Sequence, residues 1–574
     1  MFSGILFWLD ATPARLSLAA WAVFALTAAA ALPRGVPRRL RHPALFAALA
    51  MISILAFRWP VVCDNREVSD PDESQMISGA LTLRHDPLYW RSVDGQTRGP
   101  LDDWPLLGLL RATGRLDYIG ARLTGAVLAW MCVMGAWLAL RHLFGDPQAR
   151  VLVLPLLAVH AFANFWNFIQ YGSEHVPDAL VAVASMLMLT AWNPSGRDAR
   201  LSRLFAAGLL LGALPFAKLQ AAPIAAWMIA CGAWQLVVPG EGSPGIRLRR
   251  LAGFVAGILA FPFGLLLWVV SSGIWGDFYR SYIVDNIRYA AGRGFPWAQT
   301  PAKFLALCHA APGVPPFLAG VMLFSLLAMA ALPLLGRWHR RCILFALGLA
   351  LASVYSAMAP GRMFQHYLQL VFFPSGLLAA TLAGALGAAA QEGSAIALRR
   401  RVLVAVYAAY LACGLLPQAA WRAQQVQACQ GSFSQTGGRL RQTEVDRVIS
   451  KYAREGDCLG IWGWAPRYWV ETQTAQATRD GNTNRQIEDS TAREYYRERY
   501  IADLLRSRPS VIVDAVGPGS FGYNDRASAG HEGFGALAVF MGAHYSLVCD
   551  TKGARIYVRN DRRTDAAQGG RPPG

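Results

Sequence analysis

The sequence predicts a polytopic α-helical membrane protein of about twelve spans with a small α/β domain at its C-terminal end. Three observations predict it. Apolar stretches of spanning length recur as far as residue 420, arginines crowd every second loop, and the composition turns soluble after Trp421. With 54% hydrophobic and only 16% charged residues in 574, the chain is too apolar for a soluble enzyme.

The expected spans are 16–33, 43–62, 119–140, 151–170, 177–192, 203–217, 219–238, 251–271, 315–335, 342–359, 367–390 and 402–420. The first follows Arg15 and leads into an arginine cluster, not a small-residue cleavage site, so no cleavable signal peptide is expected. Arg34, Arg38, Arg39 and Arg41 follow the first span, and Arg197, Arg200 and Arg203 the fifth. Arg247, Arg249 and Arg250 precede the eighth, Arg337, Arg340 and Arg341 follow the ninth, and Arg399, Arg400 and Arg401 precede the twelfth. All these loops fall on one side, which is therefore cytoplasmic. The net charge of +18 is mainly this topology signal, and no nucleic-acid partner is expected.

The opposite face carries the loop 63–117, the turn 172–176, the loop 272–314, the turn 360–366 and everything after Trp421. The 63–117 loop holds ten acidic residues and six arginines. Asp70 can cap a helix there, Pro71 suits its first position, and Asp72 and Glu73 follow in the first turn. Met76, Ile77, Ala80, Leu81 and Leu83 fall on one face, which predicts a helix lying on the membrane surface. The carboxylate pair has two readings, a capping device or a chemical group. The span 203–217 is short, and its break at Lys218 predicts two short helices meeting at the outer surface.

After Trp421, helix patterns at 439–455 and 491–507 alternate with apolar runs Cys458–Trp464 and Ser510–Val516. Tyr545–Cys549 and Ala554–Val558 read as a terminal hairpin. This predicts a membrane module over 1–420, an α/β domain over 421–561 and a disordered tail over 562–574. The nine cysteines have no metal-ligand spacing.

Four polar groups mark the outer face. They are Asp72-Glu73; Gly172-Ser173-Glu174-His175 with Asp178; Lys218; and Arg362 with His366-Tyr367. Each has a structural alternative: Lys218 and Arg362 can snorkel to the interface, and Tyr367 can belong to an aromatic belt. Glu174, His175 and Asp178 can bind a divalent metal or cap the following helix.

The order of these groups, with Gly99-Pro100-Leu101, Leu211-Gly212 before Lys218, and Gly460-Ile461-Trp462-Gly463-Trp464-Ala465-Pro466, resembles the GT-C superfamily of polyprenyl-phosphate-sugar glycosyltransferases. The branch resembled comprises protein O-mannosyltransferases, lipid A aminoarabinose transferase and rhizobial lipopolysaccharide galacturonosyltransferases. The resemblance implies that Asp72 is a general base, with Glu73 orienting the loop or a metal. It implies that Lys218, Arg362, His366 and Tyr367 hold the donor phosphate. Implied partners are a polyprenyl-phosphate-linked sugar, an envelope glycolipid, glycan or protein acceptor, and membrane lipids. A divalent metal ion is an open option, and no nucleotide cofactor is expected. The implied place is a bacterial inner membrane, with the site and C-terminal domain periplasmic. The span 16–33 is additional to the family pattern. The alternative is a twelve-span transporter or lipid-linked glycan flippase, against which stand the lack of a two-halved repeat and few mid-span charges.

Overall fold

The computed structural model describes residues 12–32, 42–68, 71–163, 165–192, 201–238, 243–291, 296–329, 332–389 and 438–567, less 455, 519 and 552, with isolated positions 8, 37, 39 and 405. Asp70, the twelfth expected span and the boundary at Trp421 lie outside the described residues.

Helices α1 (Pro13–Ala31) and α2 (Pro43–Val62) pack together and lead into α3 (Asp72–His85) and α4 (Pro100–Thr113). Then come α5 (Tyr118–Phe144), α6 (Asp146–Phe162), α7 (His175–Ala191), α8 (Leu201–Ala213), α9 (Ala222–Val237) and α10 (Pro244–Ser271). Helices α11 (Thr300–Ala310), α12 (Val314–Met329), α13 (Arg337–Met358) and α14 (Gln369–Ala389) complete the membrane part. Among the described residues six helices are long and apolar enough to cross a membrane. Three further expected spans coincide with the shorter apolar helices His175–Ala191, Leu201–Phe216 and Val314–Leu326. The chain is a multi-pass membrane protein.

The span ending in α14 is 89% buried and packs against α5, α6, α7 and α12, whereas α10 is 22% buried and peripheral. Helices α8 and α10 cross in backbone contact. A Cβ at Gly208 or Gly212 would fall 2.3 Å from Phe254 O or 2.0 Å from Ile258 O. Small residues permit this approach, which replaces hydrophobic drive as the source of attraction between helices in lipid. The expected span 151–170 is interrupted, since α6 stops at Phe162 and a short turn, Trp166–Ile169, follows.

The C-terminal part opens with α15 (Glu444–Tyr452), β1 (Cys458–Trp462), α16 (Arg467–Thr472), β2 (Ala475–Gln476), α17 (Arg493–Ser507) and β3 (Val511–Asp514). It closes with α18 (Gly535–His544), β4 (Tyr545–Thr551), β5 (Ala554–Arg559) and α19 (Asn560–Ala567). The sheet order is β2-β1-β3-β5-β4, with β2, β1 and β3 parallel and β5 and β4 antiparallel. Alternate residues fill two cores. Leu459, Ile461, Val511 and Val513 face one side with Trp469, while Trp462 and Ile512 face the other with Tyr500 and Leu504. The tail expected to be disordered begins inside α19, which continues from β5 through residues 562–567.

Helix α3 corrects a second expectation. Every residue from Glu73 to Leu83 is buried, so it does not lie on a membrane surface with one face wet. Its apolar residues join a core with α4 and α5, and its polar stripe is covered by the C-terminal part. The Gln476 N–H donates to Thr82 Oγ1 at 2.9 Å, and Gln476 Nε2 donates to Ser78 Oγ at 2.7 Å. Those bonds satisfy polar groups that burial would otherwise destabilise.

Candidate active site

Glu73 is turned into the protein. Arg122 Nη2 reaches its Oε2 at 2.6 Å, and the Tyr171 N–H donates to its Oε1 at 2.8 Å. Arg122 also donates to the Val61 carbonyl at 2.8 Å, so one buried guanidinium ties the start of α3 to α2 and α5. Glu73 is thus an orienting group whose oxygens are already engaged. Removing one member of a buried ion pair strands the other, at a cost of about 3–5 kcal/mol. Arg122→Met is therefore expected to lower the thermal unfolding temperature in detergent markedly, and an unchanged transition would contradict this role.

Asp72 sits on the open side of the same turn, half-buried, and accepts from Gln75 Nε2 at 2.9 Å. Its charge acts on both His366 and Tyr367, which arrive from the other end of the sequence at the start of α14.

Lys218 lies in the break between α8 and α9, in extended backbone with φ −145° and ψ 120°. Its neighbourhood gives Gly99-Pro100 a physical meaning. Arg98 and Lys218 pair as an antiparallel bridge, and Gly99 N–H donates to Ala217 O at 2.7 Å. A Cβ on Gly99 would lie 1.9 Å from Phe216 O, so only glycine fits. Pro100 then opens α4. The large loop therefore fixes the backbone that carries Lys218.

The Lys218 ammonium is buried. It forms an ion pair with Glu174, donates to Ser173 Oγ at 2.7 Å and lies 4.8 Å from the Tyr367 ring centroid. Snorkelling to an interface is thereby replaced by an inward aim. His366 Nε2 stands 4.0 Å from Glu174 Oε1. Tyr367 and Tyr289 share a hydroxyl contact of 3.3 Å, and the Arg362 guanidinium lies 5.3 Å from the Tyr289 ring centroid. Burial alone would raise the Glu174 carboxyl, but Lys218 and then His366 pull it below its ordinary value, so it stays ionised. Asp72, Glu174, Lys218, Arg362, His366 and Tyr367 thus come together where the long apolar helices meet their connecting loops.

Sequence reasoning missed two aspartates beside this group. Asp102 and Asp103 are buried in the first turn of α4, and none of their carboxylate oxygens has a hydrogen-bond partner among the described residues. Arg98 Nε approaches Asp103 at 3.6 Å. Burial pushes both carboxyls up, Asp102 well above the usual range despite the pull of Lys218. The only sequence signal was their count within an acidic loop.

No protein-family model and no curated protein matches the sequence. Solved structures do. ArnT from Cupriavidus metallidurans bound to undecaprenyl phosphate superposes with a TM-score of 0.58 at 15% identity, over 90% of this chain and 98% of that one. The same protein in the apo state gives 0.54 at 15% identity, over 92% and 100%. The chain shares the fold of ArnT. The Archaeoglobus fulgidus oligosaccharyltransferase shows a weaker likeness, 0.43 at 12% identity over 81% of this chain and 69% of that one.

Among the described residues, Glu174, His175 and Asp178 do not gather as a three-ligand grouping. Glu174 turns to Lys218, while His175 Nδ1 accepts from Gly172 N–H at 3.1 Å and its ring stacks on Tyr171. Among the described residues a three-ligand grouping occurs elsewhere, at Asp514, His531 and Glu532. There Arg526 Nη2 lies 2.7 Å from Asp514 and 3.0 Å from Glu532, so a guanidinium already holds the centre.

Proposed function

We propose that this chain is an integral-membrane glycosyltransferase that moves a sugar from a polyprenyl-phosphate donor to an envelope glycolipid, glycan or protein. The observation that supports it most is the convergence of a half-buried carboxylate, Asp72, with the buried ammonium of Lys218 and the Arg362–Tyr289–Tyr367 group. That ArnT, whose fold this chain shares, was solved with undecaprenyl phosphate supports a lipid-phosphate donor.

The reaction follows from what these groups can do. Asp72 takes the proton of an acceptor hydroxyl as its oxygen bonds the anomeric carbon. The bond from that carbon to the phosphate oxygen breaks, and its electron pair leaves with the lipid phosphate. This leaving group is a stable anion, so a single base suffices. Lys218 and Arg362 stabilise the charge that grows on the departing oxygen. Glu174 holds the Lys218 side chain aimed until a phosphate competes for it. Competitive inhibition of transfer by sugar-free polyprenyl phosphate, with none by inorganic phosphate at equal concentration, is the expected result. Equal inhibition by both, or by neither, would contradict a lipid-phosphate subsite.

In this reading residues 1–420 form the catalytic module in a bacterial inner membrane, and 421–561 form a periplasmic domain. The arginine asymmetry supports that orientation. A reporter active only in the periplasm, fused after Arg559, is expected to be active. A silent fusion there, with an active cytoplasmic reporter at the same point, would reverse the topology.

A further inference from the structure

Asp72 accepts its 2.9 Å hydrogen bond from Gln75, one turn along α3. The Gln75 carbonyl in turn accepts from Asn482 Nδ2 at 2.8 Å, across 407 positions of sequence. Asn482 belongs to the C-terminal part, between β2 and the short helix Asn484–Ile487, and both amides are buried. Its own carbonyl accepts from the backbone N–H of Asn484 at 3.1 Å and from Gln96 Nε2 at 3.3 Å.

Chemistry fixes the direction of this chain. A backbone N–H can only donate, so the Asn482 carbonyl faces Asn484 and its NH2 faces Gln75. An NH2 can only donate in turn, so the Gln75 carbonyl faces Asn482 and its own NH2 is left for the carboxylate. One backbone amide in the C-terminal part therefore dictates which end of Gln75 meets Asp72. The backbone at Gly481 presses on the same side chain, since a Cβ there would lie 3.1 Å from Gln75 Oε1.

We infer that Asn482 and Gln75 are positioning residues through which the C-terminal domain orients the carboxylate of Asp72 for proton abstraction. This rests on the base role proposed above. It gives the domain a part in the chemical step beyond covering the loop, because the amide pair holds one oxygen of the Asp72 carboxylate and so sets how the carboxylate is turned.

Asn482→Asp tests it with almost no change of shape. The substituted carboxylate still accepts from Asn484 N–H but has no donor for Gln75. Gln75 must then turn its NH2 toward position 482 and its carbonyl toward Asp72, acceptor against acceptor. Steady-state transfer by the purified full chain is expected to show kcat lowered about 10-fold, with KM for the lipid-linked sugar unchanged. In an Asp72→Asn background the same substitution is expected to add no further loss, as nothing remains to orient. Gln75→Met provides the same two readouts if thermal unfolding shows that Asn482→Asp is not folded. A wild-type kcat in the single variant, or an equal loss in both backgrounds, would overturn the inference. Near-wild-type transfer by Asp72→Asn alone would instead overturn the base role on which it rests.

Discussion

Asp72→Asn is expected to lower sugar transfer by about 10²–10⁴-fold, the contribution of a positioned general base. The amide keeps the shape of the side chain and can still meet Gln75, but it cannot take the acceptor's proton. A capping role predicts something much smaller. Helix α3 has Pro71 at its N-cap and no side-chain capping bond, so a capping role for Asp72 would act through the helix dipole. That is worth about 0.3–1 kcal/mol, or a severalfold rate change at most. Transfer by purified wild type and variant, with thermal stability followed in parallel, separates the two. Glu73→Gln is expected to slow the reaction less, and its damage should register mainly in stability through Arg122.

Lys218→Met is expected to cost about 10²–10³-fold in turnover, comparable to removal of a donor that stabilises transition-state charge. The single substitution also strands the Glu174 carboxylate, which is 1% exposed. A structural and a chemical role would then look alike. The double variant Glu174→Gln/Lys218→Met distinguishes them, because it leaves no unpaired buried charge. Its thermal stability is expected to return toward wild type while donor use stays impaired. Recovery of transfer together with stability would make Lys218 a purely structural cation.

Several features of this architecture are legible in the sequence for plain physical reasons. Span length is set by the bilayer, so Pro43–Val62 emerges at the residues expected. The break at Lys218 is visible because a lysine and a proline interrupt an apolar run, and the two helices do stop on either side of it. Strands β1, β3, β4 and β5 fall within the apolar runs and hairpin read from the sequence, whereas two-residue β2 is too short to leave a periodic signal.

The site was legible as a set of residues but not as an arrangement. From sequence Lys218 reads either as a phosphate ligand or as a snorkelling cation, and only the fold shows Glu174, 44 positions away, beside it. Helix α3 reads as a surface helix because its polar stripe, Ser78 and Thr82 included, predicts water. In the fold that stripe meets Gln476, almost 400 positions later. Periodicity reports that a face is polar and cannot say whether water or another part of the chain satisfies it. Arg122 did carry an unused signal: a charge inside an apolar span is costly and implies a buried partner, here Glu73.

The central claim is that the lipid-linked sugar is cleaved at this cluster of side chains and not carried past it. ³¹P NMR of the purified chain in proteoliposomes, supplied with defined polyprenyl-phosphate sugars and envelope extract as acceptor, tests it most directly. A glycosyl phosphate is a phosphodiester, and the lipid phosphate left after transfer is a monoester. The expected result is conversion of the diester signal of one such donor to the monoester signal, abolished in Asp72→Asn. Protein-dependent movement of the intact diester to the opposite leaflet, with no monoester formed from any donor, would contradict a glycosyltransferase and establish a flippase.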